Sequence, residues 1–159
     1  MSPKGHSGFS LIELMVSLSI VAILVAIAIP AFNRYRDRAK IAQAQADLRK
    51  IRGAVEMLAI DTGEWPGHQA EGRTNTVGAN EIWDLNAPNA GLVATDGGFP
   101  NWKGPYLDAV PKDPWESDYF FDTDYIIGGR TKVALGSFGP NQVGPNVYDS
   151  DNVVIYLVE

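Results

Sequence analysis

Residues 9–29 carry one charged side chain, Glu13, and beyond it the only polar residues are Ser17 and Ser19. Coiled as an α-helix, that stretch rises roughly 30 Å, the thickness of a bilayer's hydrocarbon core. A secretory signal peptide would end in a small-x-small cleavage pattern. Here Pro30, Phe32, Asn33 and Arg34 lead into further helix-forming sequence, so the apolar segment is expected to stay in the mature chain. Glu13 sharpens the reading, because a carboxylate inside an apolar span costs about 2.5–3.5 kcal/mol on insertion scales. Either it sits at the membrane surface, snorkelling or protonated, or a cation meets it. Lys4 precedes the span and Arg34, Arg36, Arg38 and Lys40 follow it. By charge alone, the positive-inside rule places residues 31 onward in the cytoplasm.

The 159 residues, 45% of them hydrophobic, suffice for one modest core and not for two substantial domains. The net charge of −6 is unevenly spread. Residues 62–159 hold fourteen acidic against five basic side chains, whereas residues 9–61 hold seven basic against five acidic. An acidic head behind a slightly basic stem repels phosphate backbones and favours cations, so no nucleic-acid partner is expected. With no cysteine, a disulfide framework and a thiolate metal site are both excluded.

Pro30 lacks an N–H and is expected to kink or loosen the helix near the end of the apolar run. Beyond it Ile41, Ala44, Leu48, Ile51, Val55 and Leu58 recur at alternating spacings of three and four, a narrow apolar stripe on one helix face. The stripe is too short for a sustained coiled coil and is expected to pack on the chain's own sheet. Asp61-Thr62-Gly63 and then Pro66 supply a stop. One helix over about residues 10–60, roughly 75 Å long, follows from this.

Residues 67–101 are rich in Gly, Asn and acidic side chains, with Ile82, Trp83, Leu85, Leu92 and Val93 as scattered anchors, and read as a long loop with one short helix. The runs 119–122, 125–127, 132–137 and 153–158 are β-rich and bounded by turn signals, and Gly128-Gly129 fits a tight hairpin. The fold class is therefore α+β: a long N-terminal helix, apolar in its first half, packed on a small antiparallel sheet. Trp65, Trp102 and Trp115 are read as core, and Lys112-Asp113 between two prolines as a turn.

Between the last strands, residues 137–152 gather hard oxygen donors, among them Asn141, Asp149 and Asp151. Calcium takes six to eight such oxygens, although the spacing is not that of an EF-hand. The same composition suits a solvated turn whose Asp and Asn side chains bond their own backbone. Catalysis has little to stand on, because His6 and His68 are the only histidines and neither has a cysteine partner.

The segment Gly8-Phe9-Ser10-Leu11-Ile12-Glu13-Leu14, followed by the apolar run, resembles the processing motif of type IV prepilins and pseudopilins. Gly104-Pro105-Tyr106-Leu107, Val110-Pro111-Lys112-Asp113-Pro114-Trp115 and the helix exit Asp61-Thr62-Gly63-Glu64-Trp65-Pro66 are similar to the G-type major pseudopilin of type II secretion. The resemblance implies a pilin-like fold and cleavage after Gly8 by a prepilin peptidase. It also implies N-methylation of the new terminus at Phe9 and pairing of Glu13 with the Phe9 amine of a neighbouring subunit. Residues 1–8 are then a leader, 9–30 a transmembrane and filament-core helix, 31–61 an amphipathic helix and 62–159 the head. Such proteins are single-pass in the bacterial inner membrane with the head in the periplasm, which the resemblance places above the charge rule.

G-type pseudopilins also bind calcium in a loop similar to 137–152, which implies Asn141, Asp149 and Asp151 as ligands here. Asn141 stands where the family has an aspartate, one negative charge fewer, and Ser150 separates what is elsewhere an adjacent aspartate pair. The function expected is therefore structural: self-assembly into a filament that drives protein export by type II secretion. Implied partners are further copies of the chain, minor pseudopilins, an inner-membrane platform, a motor ATPase, and membrane lipid before assembly. Two rivals are a surface type IV pilin for adhesion or motility and a membrane-tethered monomeric binding module. No enzymatic activity is expected.

Overall fold

The computed structural model describes residues 10–78 and 80–158, and contacts divide the chain between Ala39 and Lys40 into two compact units. One helix, α1 (Leu11–Thr62), contributes to both. It starts where Ser10 caps it: Ile12 N–H donates to Ser10 Oγ at 3.2 Å, and Ser10 N–H donates to the Glu13 carboxylate at 2.8 Å. This reciprocal capping box satisfies two backbone donors that a helix start leaves orphaned. The helix continues through Pro30 without interruption. It ends at Gly63, whose φ of 75° suits a residue without Cβ and whose N–H closes on Ala59 O at 2.7 Å.

Within the first unit the side chains of residues 11–30 are all exposed, which leaves an apolar helix long enough to cross a membrane. In the second unit α1 buries Ala44, Leu48, Ile51, Ala54, Val55, Leu58, Ala59 and Thr62. Each buried Leu, Ile or Val contributes about 1.5–3 kcal/mol. The stripe begins one turn later than its periodicity implies, since Ile41 remains 38% exposed.

The main sheet is antiparallel in the order β3-β4-β5-β6, formed by β3 (Glu81–Ile82), β4 (Phe120–Ile127), β5 (Arg130–Ser137) and β6 (Val153–Tyr156). Gly128 and Gly129, both at positive φ, turn β4 into β5 as the sequence implies. β1 (Glu64–Trp65) and β2 (Gln69–Ala70) make a separate two-residue hairpin. Residues 67–101 thus contain an edge strand rather than loop alone. Among the described residues the expected short helix is replaced by single 3-10 turns at Pro66–His68 and Pro88–Ala90, each opened by a proline.

Tyr119, Phe121, Val133, Leu135 and Val153 join the helix stripe in the larger core, with Trp65, Trp115 and the half-buried Trp102. Phe120, Tyr125 and Ala134 form a smaller core with Trp83, Phe138, Tyr148, Val154 and Tyr156. A β-bulge divides β4, because Asp122 pairs with Ala134 but Tyr125 pairs with Lys132. The extra residue shifts side-chain parity, so Phe120 and Tyr125 join one cluster despite their odd spacing. The helix exit is clamped from the 102–106 segment. Lys103 Nζ and Tyr106 Oη reach the two oxygens of Asp61 at 2.7 and 3.0 Å, and Trp102 Nε1 donates to Gly91 O. Asp113, almost fully buried, accepts from the N–H groups of Trp115 and Ser117 and from Ser137 Oγ, so Lys112-Asp113 is a structural turn.

Candidate functional site

Gly8 and Phe9 lie outside the described residues, and the motif is visible from Ser10 onward. Glu13 is exposed in the first turn of α1, and one carboxylate oxygen already accepts the Ser10 N–H. The side chain therefore bends back toward the chain start, as helical Cα–Cβ geometry favours. The negative charge also sits at the positive end of the helix dipole. The carboxylate thus stands at the Ser10 N–H, where a cation drawn to the helix start would meet it. This cap escaped the sequence reading, although the Ser10-x-x-Glu13 spacing ahead of an apolar run is the signal that could have found it.

In the 137–152 loop the structure brings Asn141 and Asp149 together, with Asn141 Nδ2 donating to Asp149 Oδ2 at 2.7 Å. The other Asp149 oxygen accepts the Asp151 N–H at 2.9 Å, while Asn141 Oδ1 accepts the Val143 N–H. Asp151 contributes that backbone contact, and its exposed carboxylate has no partner among the described residues. Among the described residues no group of three His, Cys, Asp or Glu side chains is arranged to hold a metal ion. A hard cation here would rely on Asp149, Asp151, amide oxygens and main-chain carbonyls, which is a donor chemistry calcium accepts. Asn152 adds a buried Oδ1 without a hydrogen-bond partner, while its Nδ2 donates to Val147 O and to Tyr125 Oη. An orphaned buried oxygen is costly, and a cation would relieve it. In kind these side chains could hold calcium, and Asn152 would add an oxygen not singled out from the sequence.

Two titratable clusters in the head escaped the sequence reading. Asp122 is fully buried under the 138–148 segment, where Tyr148 Oη donates to it at 3.0 Å and Asp124 N–H at 2.7 Å. Burial, reinforced by hydrogen bonding with the Asp124 carboxyl, pushes the Asp122 pKa up to about 7. Asp124 Oδ1 is itself buried without a partner. This pair was passed over in the sequence reading, because its burial comes only from tertiary packing. His68 lies between two carboxylates, Nδ1 at 2.8 Å from Glu64 and Nε2 at 3.0 Å from Asp96, and stacks on Phe99 at 4.0 Å. Burial opposes its charge, but the hydrogen bonds to Asp96 and Glu64 outweigh that and raise its pKa. A Cβ on Gly98 would stand 2.8 Å from the His68 ring, so that approach requires glycine. Neither cluster includes a hydrogen-bonded Ser, Thr or Lys nucleophile among the described residues.

Residues 3–29 match the model of the prokaryotic N-terminal methylation motif, and residues 86–154 match that of type II secretion system protein G. Type II secretion system core protein G of Pseudomonas aeruginosa is 31% identical over 156 residues, covering 96% of this chain and 98% of the relative. The type IV major fimbrial protein FimA of Dichelobacter nodosus is 30% identical over 156 residues, covering 87% of this chain and 95% of the relative. Among solved structures, the major pseudopilin from the type 2 secretion system of enterohaemorrhagic Escherichia coli superimposes with a TM-score of 0.51 at 22% identity. The match covers 76% of this chain and 85% of that one, and shows the shared fold. With the apolar capped helix, the four-stranded head and a relative aligned over nearly the full length, the chain belongs to the type II secretion system protein G family of pseudopilins.

Proposed function

We propose that this chain is the structural subunit of a pseudopilus, a filament whose growth drives protein export by type II secretion. The observation that carries the reading is the exposed apolar half of α1, headed by a single carboxylate at its cap and attached to a protein G head. Such a helix has two ways to leave water: lipid before assembly, and the helices of other copies afterwards. The precursor resides in the inner membrane with its head in the periplasm. A prepilin peptidase cuts after Gly8, and methylation follows at Phe9. The new amine is a cation that Glu13 can accept from a neighbouring copy, which sets the register of addition more than it adds net stability. Polymerisation, powered by an ATPase through a membrane platform and joined by minor pseudopilins, is the whole mechanism, and no bond chemistry is assigned to the head.

Calcium, held by Asp149 and Asp151 with Asn141 and Asn152, would supply fixed positive charge that orders the 137–152 loop against β6. The test of the main reading compares a deletion strain with its parent, measuring proteins released to the medium and surface filaments in the same cultures. Lost secretion with intact surface filaments is expected. Lost surface filaments with normal secretion would favour the pilin reading, which the FimA likeness keeps in view.

A further inference from the structure

Just past the apolar run, Ala31, Arg34, Tyr35 and Arg38 share one face of α1 and line a notch of about 280 Å³. Spacings of three and four residues place them in one column, and the small Ala31 leaves its floor open. Arg34 Nε donates to Pro30 O at 3.3 Å, which turns that guanidinium toward the apolar end of the helix. Among the described residues neither Arg34 nor Arg38 has a carboxylate partner, whereas Arg36 lies 3.8 Å from Asp37. Phe32 and Tyr35 are 67% and 68% exposed beside them.

Depth is set by helix rise. With residues 10–29 filling a hydrocarbon core of roughly 30 Å, Arg34 stands about 7 Å beyond its edge and Arg38 about 13 Å. The headgroup layer is about 5–7 Å thick on each side, and helical side chains lean toward the N-terminus. Arg34 therefore lies at phosphate depth and Arg38 leans back toward it, with Tyr35 and Phe32 at the level where amphipathic aromatics settle. Two guanidinium forks converging on one notch match the oxygens of a phosphate diester.

We infer that Arg34 and Arg38 clamp the phosphate of a glycerophospholipid, holding the subunit at fixed depth before it enters a filament. The inference rests on the membrane-anchored reading above. It also gives a lipid counter-charge to Arg34 and Arg38, two of the four cations on the side of the span where the positive-inside rule would not place them.

The test uses the full-length chain in neutral detergent, with native mass spectrometry counting bound dioleoyl phosphatidylglycerol across a lipid titration. The double variant Arg34→Gln/Arg38→Gln should need at least about tenfold more lipid for equal retention. Arg49→Gln/Arg130→Gln, with the same loss of charge elsewhere, should match the parent. Equal retention by the Arg34/Arg38 variant overturns the clamp. Displacement of lipid by inorganic phosphate at comparable concentration also overturns it, in favour of a free-anion site. If the variant instead loses self-association in lipid-free detergent with retention unchanged, the cations face the acidic head of a second copy and the clamp is wrong. Carbonate extraction of native membranes separates the two levels. A chain released without detergent fails the membrane reading along with the clamp, while an integral chain with unaltered retention fails the clamp alone.

Discussion

Replacing Asp122 by Asn should stabilise the head at alkaline pH, although the residue is fully buried and hydrogen-bonded. In the folded head the Asp122 pKa rises from 3.8 to about 7. Because the folded value is the higher one, the folded state binds more protons between about pH 4 and 7, and stability falls as pH rises through that window. Roughly three decades of proton affinity, at ~1.4 kcal/mol per decade, set a ceiling of about 4 kcal/mol. Asp124 and Tyr148 are only half-buried, and solvent screening at that edge lowers the expectation to about 2 kcal/mol. The amide oxygen can still accept the Asp124 N–H, and its Nδ2 can donate to Tyr148 Oη and to the orphaned Asp124 carboxylate oxygen, while the Tyr148 hydroxyl proton turns to Asn146 Oδ1 at 3.2 Å. For a head of this size about 2 kcal/mol corresponds to roughly 6–10 °C in melting temperature. Near-UV circular dichroism of the full chain in micelles, scanned at pH 4 and pH 8, reads it. The Asp122→Asn variant should melt above the parent at pH 8 and close to it at pH 4. Equal melting at pH 8, or an unchanged pH dependence, would refute the buried-carboxylate argument.

Converting Glu13 to Ala should abolish filament assembly while leaving the head's melting temperature unchanged, read by shearing and sedimentation of filaments beside a thermal scan. Since the His68 pKa is raised, its tie to Glu64 and Asp96 is fully present below pH 6.5 and lost as pH rises through the folded value. His68→Gln should therefore speed amide exchange around residues 96–99 at pH 6 more than at pH 8.5. Chelation should lower the melting temperature of the head, and Asp149→Ala with Asp151→Ala should remove that effect. An identical response to chelator in the double variant would leave the loop a turn without metal.

Much of this was legible in the chain itself. The apolar run around Glu13, the three-four spacing from Ala44 to Leu58 and the β-rich runs between turn signals are local patterns, which need only neighbours along the chain. Strand β3 was missed because two residues carry no periodic signal: Glu81 and Ile82 become a strand only by pairing with Asp122 and Phe121, about forty residues away. Composition singled out the 137–152 loop as a gathering of oxygen donors, yet the contact of Asn141 with Asp149 and the orphaned Asn152 oxygen depend on how the loop folds back on itself.

The sequence by itself determined the long helix, its apolar half, the lone carboxylate near its start and the strand-rich C-terminus, because each is a local pattern of side chains on one repeating backbone. Tertiary structure alone decided the shifted parity at the β4 bulge, the buried Asp122 beneath Tyr148, and His68 between Glu64 and Asp96. In each of these, charge or burial is set by groups far apart in sequence, and desolvation exists only once the chain has closed around them.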